Sequence, residues 1–165
     1  MGFNKKYIFA IILLVFLSCV RYSFKGALPS YIKTIYIEDF QDNSNYPGAR
    51  ELFMEKLTNA FISNNVLHVL NKPEGADLIL SGKIVSIRKK AVSFSQQEIT
   101  REFHMDVTVQ VECLNTHTNQ PLWKGGISRF GVISGSALSE EIDQAVSVAI
   151  DEIVEDVVAK TIAAW

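Results

Sequence analysis

Three basic residues in a row, Arg88, Lys89 and Lys90, close an apolar, alternating stretch, with Lys83 upstream and Arg101 opening the next such stretch. If the two stretches form a hairpin around "SFSQQ", Arg88, Lys89, Lys90 and Arg101 gather near one tip. Such a group can bind phosphate, because a guanidinium offers two parallel N–H donors and an ammonium a point charge. The same residues can also simply keep a strand edge from pairing. His104 and Asp106 stand two apart in an alternating run and so share one strand face, where they could offer two metal ligands. No third ligand is suggested nearby, and a wetted strand face is the simpler reading. Glu38, Asp39 and Asp42 could form a carboxylate pair for acid–base work. Their setting at the end of a strand, before an Asn-rich turn, favours turn and cap roles. His68 and His117 are scattered elsewhere. The chain has no G-x-S-x-G, no phosphate-binding glycine loop and no Cys/His pair suited to nucleophilic work. Nothing points to an enzyme, a metal or a cofactor.

One residue does carry recognisable covalent chemistry. After Lys5 and Lys6 comes an eleven-residue apolar run, Tyr7 to Leu17, then Ser18 and Cys19. A spanning helix needs about 20 apolar residues. This run is shorter and fits the h-region of a secretory signal. The "FLSC" ending resembles the lipobox of bacterial lipoproteins, with a small residue before a cysteine whose thiol takes a diacylglycerol. Phe16 stands where leucine is commonest. The resemblance implies removal of residues 1–18, acylation at Cys19 and a firm lipid anchor. Val20 stands where an inner-membrane retention signal would have Asp, which implies the outer membrane.

Composition narrows the remainder. The 147 residues after Ser18 are enough for one domain with its own core. Lys5 and Lys6 leave with the signal, so sixteen basic residues become fourteen against eighteen acidic ones, net −4. That balance argues against a general nucleic-acid binder. With Cys19 acylated, Cys113 has no disulfide partner. It ends the alternation Phe103, Met105, Val107, Val109, Val111, and is expected to be a small buried hydrophobe.

The elements that must position these groups follow from periodicity. Residues 20–31 read as a tether with an entry strand punctuated by Pro29. "IKTIYIEDF" is a strand with Ile35 and Ile37 inward. "QDNSNYPG" is a turn, with Pro47 in the first turn of a helix carrying Leu52, Phe53, Leu57, Ala60 and Phe61. The helix stops near "SNN". "VLHVL" is a short strand. Residues 77–91 form a long one, with Leu78, Leu80 and Ile84 on one face and Ile79, Val85 and Ile87 on the other. A further strand follows the 102–115 strand, with Gly125 and Gly126 marking a bulge. A closing helix is capped by Ser136 or Ser139, buries Ile142, Val146, Ala149, Ile153 and Val157, and turns Asp143, Asp151, Glu152, Glu155 and Asp156 to solvent. The order predicts an α+β fold: two helices on one face of a mixed, mostly antiparallel sheet of four to five strands. The expected organisation is a signal peptide at 1–18, a lipidated tether at 19–32 and a single domain at 33–165.

The stretch "CVRYSFKGALPSYIKTIYIEDFQDNS" resembles the opening of the LPS-assembly lipoprotein family, LptE, of the Bacteroides-like branch. The match is carried by Tyr22, Ser23, Phe24, Gly26, Pro29, Lys33, Thr34, Ile35, Phe40 and Asn43. "GADLILSGKI" is similar to a family strand through Ala76, Asp77, Gly82 and Ile84, and "PLWKGGISRFG" to a late one. The resemblance implies an outer-membrane accessory subunit, not an enzyme. It would plug a large β-barrel partner, LptD, and help deliver lipopolysaccharide to the outer leaflet. The second apolar face on residues 77–91 would suit docking. Arg88, Lys89, Lys90 and Arg101 would suit the lipid phosphates. "TIYIEDFQDNS" is also similar to the first strand of curli-export or synthase-activating lipoproteins, which keeps a different envelope interaction module open. A hydrolase using Asp39 and Asp42 is the remaining alternative.

Overall fold

The computed structural model describes residues 28–92, 102–134 and 138–163. Cys19, the Tyr-Ser-Phe segment, Arg101 and Ser136 lie outside them. Along the chain come β1 (Thr34–Ile37), β2 (Gln41–Asp42), α1 (Ala49–Asn64), β3 (His68–Leu70), β4 (Leu78–Val92), β5 (Glu102–Asn115), β6 (Gln120–Ser134) and α2 (Ser139–Ala163). The strand order is β3-β1-β4-β5-β6, with β2 beside β4. β1 runs parallel to β3 and β4, and β2 parallel to β4, while β4, β5 and β6 form an antiparallel meander. The predicted α+β class stands, with six strands rather than four or five. The extra strand is β2, two residues of the Asn-rich turn that pair with Lys83 and Ile84.

Alternation sets the buried face. Ile35, Leu78, Leu80, Ile84, Val107, Val109, Val111 and Cys113 are all nearly inaccessible and lie under the helices. α1 buries Ala49, Phe53, Leu57 and Phe61 at helical spacing. Each such large side chain contributes on the order of 2 kcal/mol through burial. Pro47 precedes the helix, and Gly48, at φ 76°, takes the left-handed turn into it. Asn65, at φ 55°, closes it as expected, donating its N–H to Phe61 O.

α2 starts at Ser139, so this serine is the first helical residue and not the cap; Ile142 N donates to Leu138 O. Its buried stripe is wider than predicted and includes Ala145, Ile150, Val154, Val158 and Thr161, while Ile142 is only partly covered. Its acidic face is largely paired, not merely solvated. Asp143 accepts from Tyr46 Oη, Asp151 meets Lys56 Nζ at 2.6 Å, and Asp156 meets Arg129 at 2.5 Å. Burial first, and then the bond to Asp143, push the Tyr46 hydroxyl up to about 12.

Two glycines fix the layers. A Cβ on Gly131 would come within 1.9 Å of Ala145 O, so α2 rests directly on the β6 backbone there. A Cβ on Gly82 would meet Gln110 O at 2.3 Å and the Phe40 ring at 2.6 Å. Phe40 fills that space and packs on Phe53 with ring centroids 5.0 Å apart. Gly125 and Gly126 mark no bulge: they sit in regular register opposite Val111 and Gln110. The irregularities fall instead between Ile84 and Ser86 on β4 and beside Cys113 and Leu114 on β5.

Candidate functional site

The β4 irregularity decides where the cations point. Ile84 pairs with Val109 and Ser86 with Thr108, so Val85 is the extra residue. One extra residue flips every later side chain to the other face. Ile87 therefore joins the core instead of continuing an outer apolar row with Ile79 and Val85. Arg88 and Lys90 go to the face without helices, and Lys89 goes to the helix-bearing face. Arg88, Lys89, Lys90 and Ala91 are all exposed, so the end of β4 extends past the helical cover.

On the open face, Arg88 stands opposite Asp106 and Lys90 opposite His104. Asp106 in turn faces Phe130, and His104 faces Val132. The His104 ring stacks on Phe130 at 4.1 Å and 7°. Phe130 and Val132 are each 48% exposed, high for large apolar residues. Lys89, on the far face, sits with its Nζ 4.2 Å from the Phe103 ring centroid. The predicted four-residue cluster is thus corrected to two cations on one face and one on the other, with Arg101 outside the described residues. The open-face group combines cations, an imidazole and exposed apolar surface. That combination suits an amphiphile with anionic head groups and acyl chains.

His104 and Asp106 share a face as predicted. Among the described residues no group of three or more His, Cys, Asp or Glu side chains could hold a metal ion. Glu38 and Asp39 border one hollow, and Asp42 is not part of it. Asp39 pairs with Arg50 at 3.1 Å, and Asp42 Oδ1 accepts Ser44 N–H at 2.7 Å, a turn bond. Glu38 lines a shallow polar hollow of about 500 Å³ with Lys83, Glu112 and Lys124, the last two joined by a 2.5 Å ion pair. Cys113 is buried, and burial pushes its thiol up to about 12, which makes it inert.

The tightest polar cluster was not legible beforehand. Asp77 Oδ2 accepts from Lys33 N–H at 2.8 Å, Thr34 N–H at 2.9 Å and Thr34 Oγ1 at 2.8 Å. Its Oδ1 lies 2.7 Å from His117 Nε2, and Tyr31 packs edge-on against that imidazole at 5.2 Å. Partial burial raises the Asp77 carboxyl's pKa, but these bonds outweigh burial and hold it down at about 2. Only the "GAD" ahead of a strand hinted at this clamp.

Two helices on one face of a mixed sheet form a fold that recurs in solved bacterial proteins. A hypothetical protein of Chlamydia trachomatis aligns with TM-score 0.58 at 10% identity, covering 78% of this chain and 95% of that one. Lipoprotein B of Nitrosomonas europaea aligns with TM-score 0.56 at 19% identity, covering 84% and 86%. A putative lipoprotein of Caulobacter crescentus gives 0.53 at 14% identity, covering 79% and 89%. At these identities the likeness is one of fold. No curated protein matches the sequence significantly. The chain belongs to the lipopolysaccharide-assembly family LptE, which it matches over residues 32–161. The resemblance read from the sequence is thereby upheld.

Proposed function

We propose that this chain is an outer-membrane lipoprotein, cut before Cys19, acylated there, and serving as the accessory plug of an LptD-like β-barrel that passes lipopolysaccharide to the cell surface. The carrying observation is the family match across nearly the whole described fold. The open-face end of the sheet supplies suitable chemistry. Arg88 and Lys90 meet the phosphates of the glycolipid, and Phe130 and Val132 offer apolar surface to its acyl chains. Lys89 adds cationic field from the same end. The chain's part is to bind and position, without bond-making chemistry: Asp39 is engaged in an ion pair and Asp42 in a turn, and the buried thiol is held protonated.

Affinity purification from native membranes in mild detergent tests this reading. A very large barrel protein and lipopolysaccharide should come with the chain. Recovery of the lipoprotein alone at native expression contradicts it.

A further inference from the structure

The polar hollow lies on the same helix-free face as Arg88 and Lys90, and strand register lays that face out row by row. Ser81 stands opposite Glu112, and Glu112 opposite Lys124. The next row is Gln41, Lys83, Gln110 and Gly126, each opposite the one before. Gly126 has no side chain, and a Cβ there would meet nothing closer than 3.9 Å, so this row is open at one end. Glu38 and Asp39 border the hollow just past β1. Beyond the Val85 bulge come the hydroxyls of Ser86, Thr108 and Ser128, the last two 3.1 Å apart. Arg88 with Phe130, and then Lys90 with Val132, complete the face. From the β4–β5 tip inward it is thus cationic and apolar, then hydroxylic, then a mixed polar hollow. Lys83 is five residues from Arg88, about 15 Å along the strand.

The lining decides what the hollow can hold. Two lysines, Lys83 and Lys124, stand against three carboxylates, Glu38, Asp39 and Glu112. Asp39 is balanced by Arg50, and Glu112 by Lys124. A phosphate gains little from such a set, and an acyl chain would cut its polar side chains off from water. The Gln41 and Gln110 side chains are exposed there. A glutamine amide donates and accepts, an ammonium donates and a carboxylate accepts. Sugar hydroxyls also donate and accept, so a mixture of these groups at ~4.8 Å strand spacing can serve several hydroxyls at once. We propose that this hollow is a saccharide subsite, which takes uncharged sugar units of the glycolipid whose phosphates meet Arg88 and Lys90. The inference rests on the lipopolysaccharide reading and deepens it. An amphiphile with its phosphates at Arg88 and Lys90 and its acyl chains on Phe130 and Val132 has its sugars free to run over the hydroxyl row into the hollow.

The test uses the full acylated chain in detergent and two probes. One is the oligosaccharide freed from the native cell's lipopolysaccharide by mild acid, stripped of phosphate and given a fluorescent tag at its reducing end. The other is the lipid part left by the same hydrolysis. Equilibrium dialysis reads the first, and retention on the immobilised chain reads the second. Both are expected to bind. K83A/Q110A should weaken the oligosaccharide about tenfold, as two ordinary hydrogen bonds are lost, and leave the lipid part within about twofold. R88E/K90E should do the opposite. Gly126→Leu, which puts a side chain into the hollow, should weaken the oligosaccharide alone. No oligosaccharide binding by the native chain, or binding that K83A/Q110A and Gly126→Leu both leave unchanged, overturns the saccharide subsite while retention of the lipid part keeps the lipopolysaccharide reading intact. Equal binding of a tagged cell-wall disaccharide assigns the hollow to sugars of another source and overturns the link to this glycolipid. Loss of lipid-part binding in the native chain contradicts the lipopolysaccharide contact itself, and the inference falls with it.

Discussion

The Asp77 end and the Arg88–Lys90 end sit on the same two strands and are built in opposite ways. At the first, one carboxylate gathers four hydrogen bonds from Lys33, Thr34 and His117, tying β1, β4 and the β5–β6 turn together. At the second, β4 runs out past the helices with Arg88 to Ala91 exposed, and large apolar side chains stay in solvent. The clamp joins its polar groups to one another, whereas the hairpin end keeps the side chains of Arg88, Lys89 and Lys90 exposed. The difference teaches that stability and contact are segregated along the sheet, so substitutions should separate into two phenotypes.

The largest effect should come where α2 rests on the β6 backbone. Gly131→Ala drives a methyl into Ala145 O and must lift α2 from β6. We expect a loss of about 3 kcal/mol or more in chemical denaturation. Gly126→Ala, whose Cβ would meet nothing closer than 3.9 Å, should cost no more than about 1 kcal/mol. Similar losses at both would show that α2 does not seat where described.

Next is the clamp. Asp77→Ala should cost about 2–3 kcal/mol, because two backbone donors and a threonine hydroxyl lose their acceptor. The pH dependence has a fixed sign. The carboxyl has its pKa lowered from 3.8 to about 2 on folding. Its contribution is complete above the unfolded value and disappears as pH falls through the folded one, between about pH 4 and pH 2. Unfolding titrations of the Asp77→Asn chain should lack that slope. An unchanged slope would assign the acid sensitivity to other carboxylates.

The hairpin end should behave in reverse. The double replacement R88E/K90E is expected to leave stability within about 0.5 kcal/mol, since both side chains are exposed. Binding to purified lipopolysaccharide should fall about tenfold or more and lose its salt dependence. Lys89→Glu, on the opposite face, should do less. If all three charges contribute equally, the separation of faces by the Val85 bulge has no functional meaning. Smallest of all is Asp39→Ala, which breaks an exposed pair with Arg50 and should shift stability by no more than about 0.5 kcal/mol.

What could be read from the chain was whatever is periodic. The run from Phe103 to Cys113 alternates without interruption, and each inward residue after Phe103 is buried. Phe53, Leu57 and Phe61 repeat at helical spacing and face the core. Asn65 ended α1 because asparagine tolerates its left-handed φ. The failures are of another kind. A bulge adds one residue to a ladder, and nothing about valine at 85 announces it; Gly125 and Gly126 looked like better candidates yet pair normally. That single slip misplaced Ile87 and merged three cations that occupy two faces. The Asp77 clamp joins partners 40 to 44 positions apart, a distance at which no local pattern operates. Gly131 carries no local signal of its role, because the atom it must avoid belongs to α2.

The direct test of the contact role is a photoreactive benzoylphenylalanine placed at Phe130, beside His104, in living cells. The account predicts an ultraviolet-induced adduct with lipopolysaccharide at that position, and none with the same group at the exposed Glu74 between β3 and β4. No adduct at 130, or equal adducts at both positions, would contradict it.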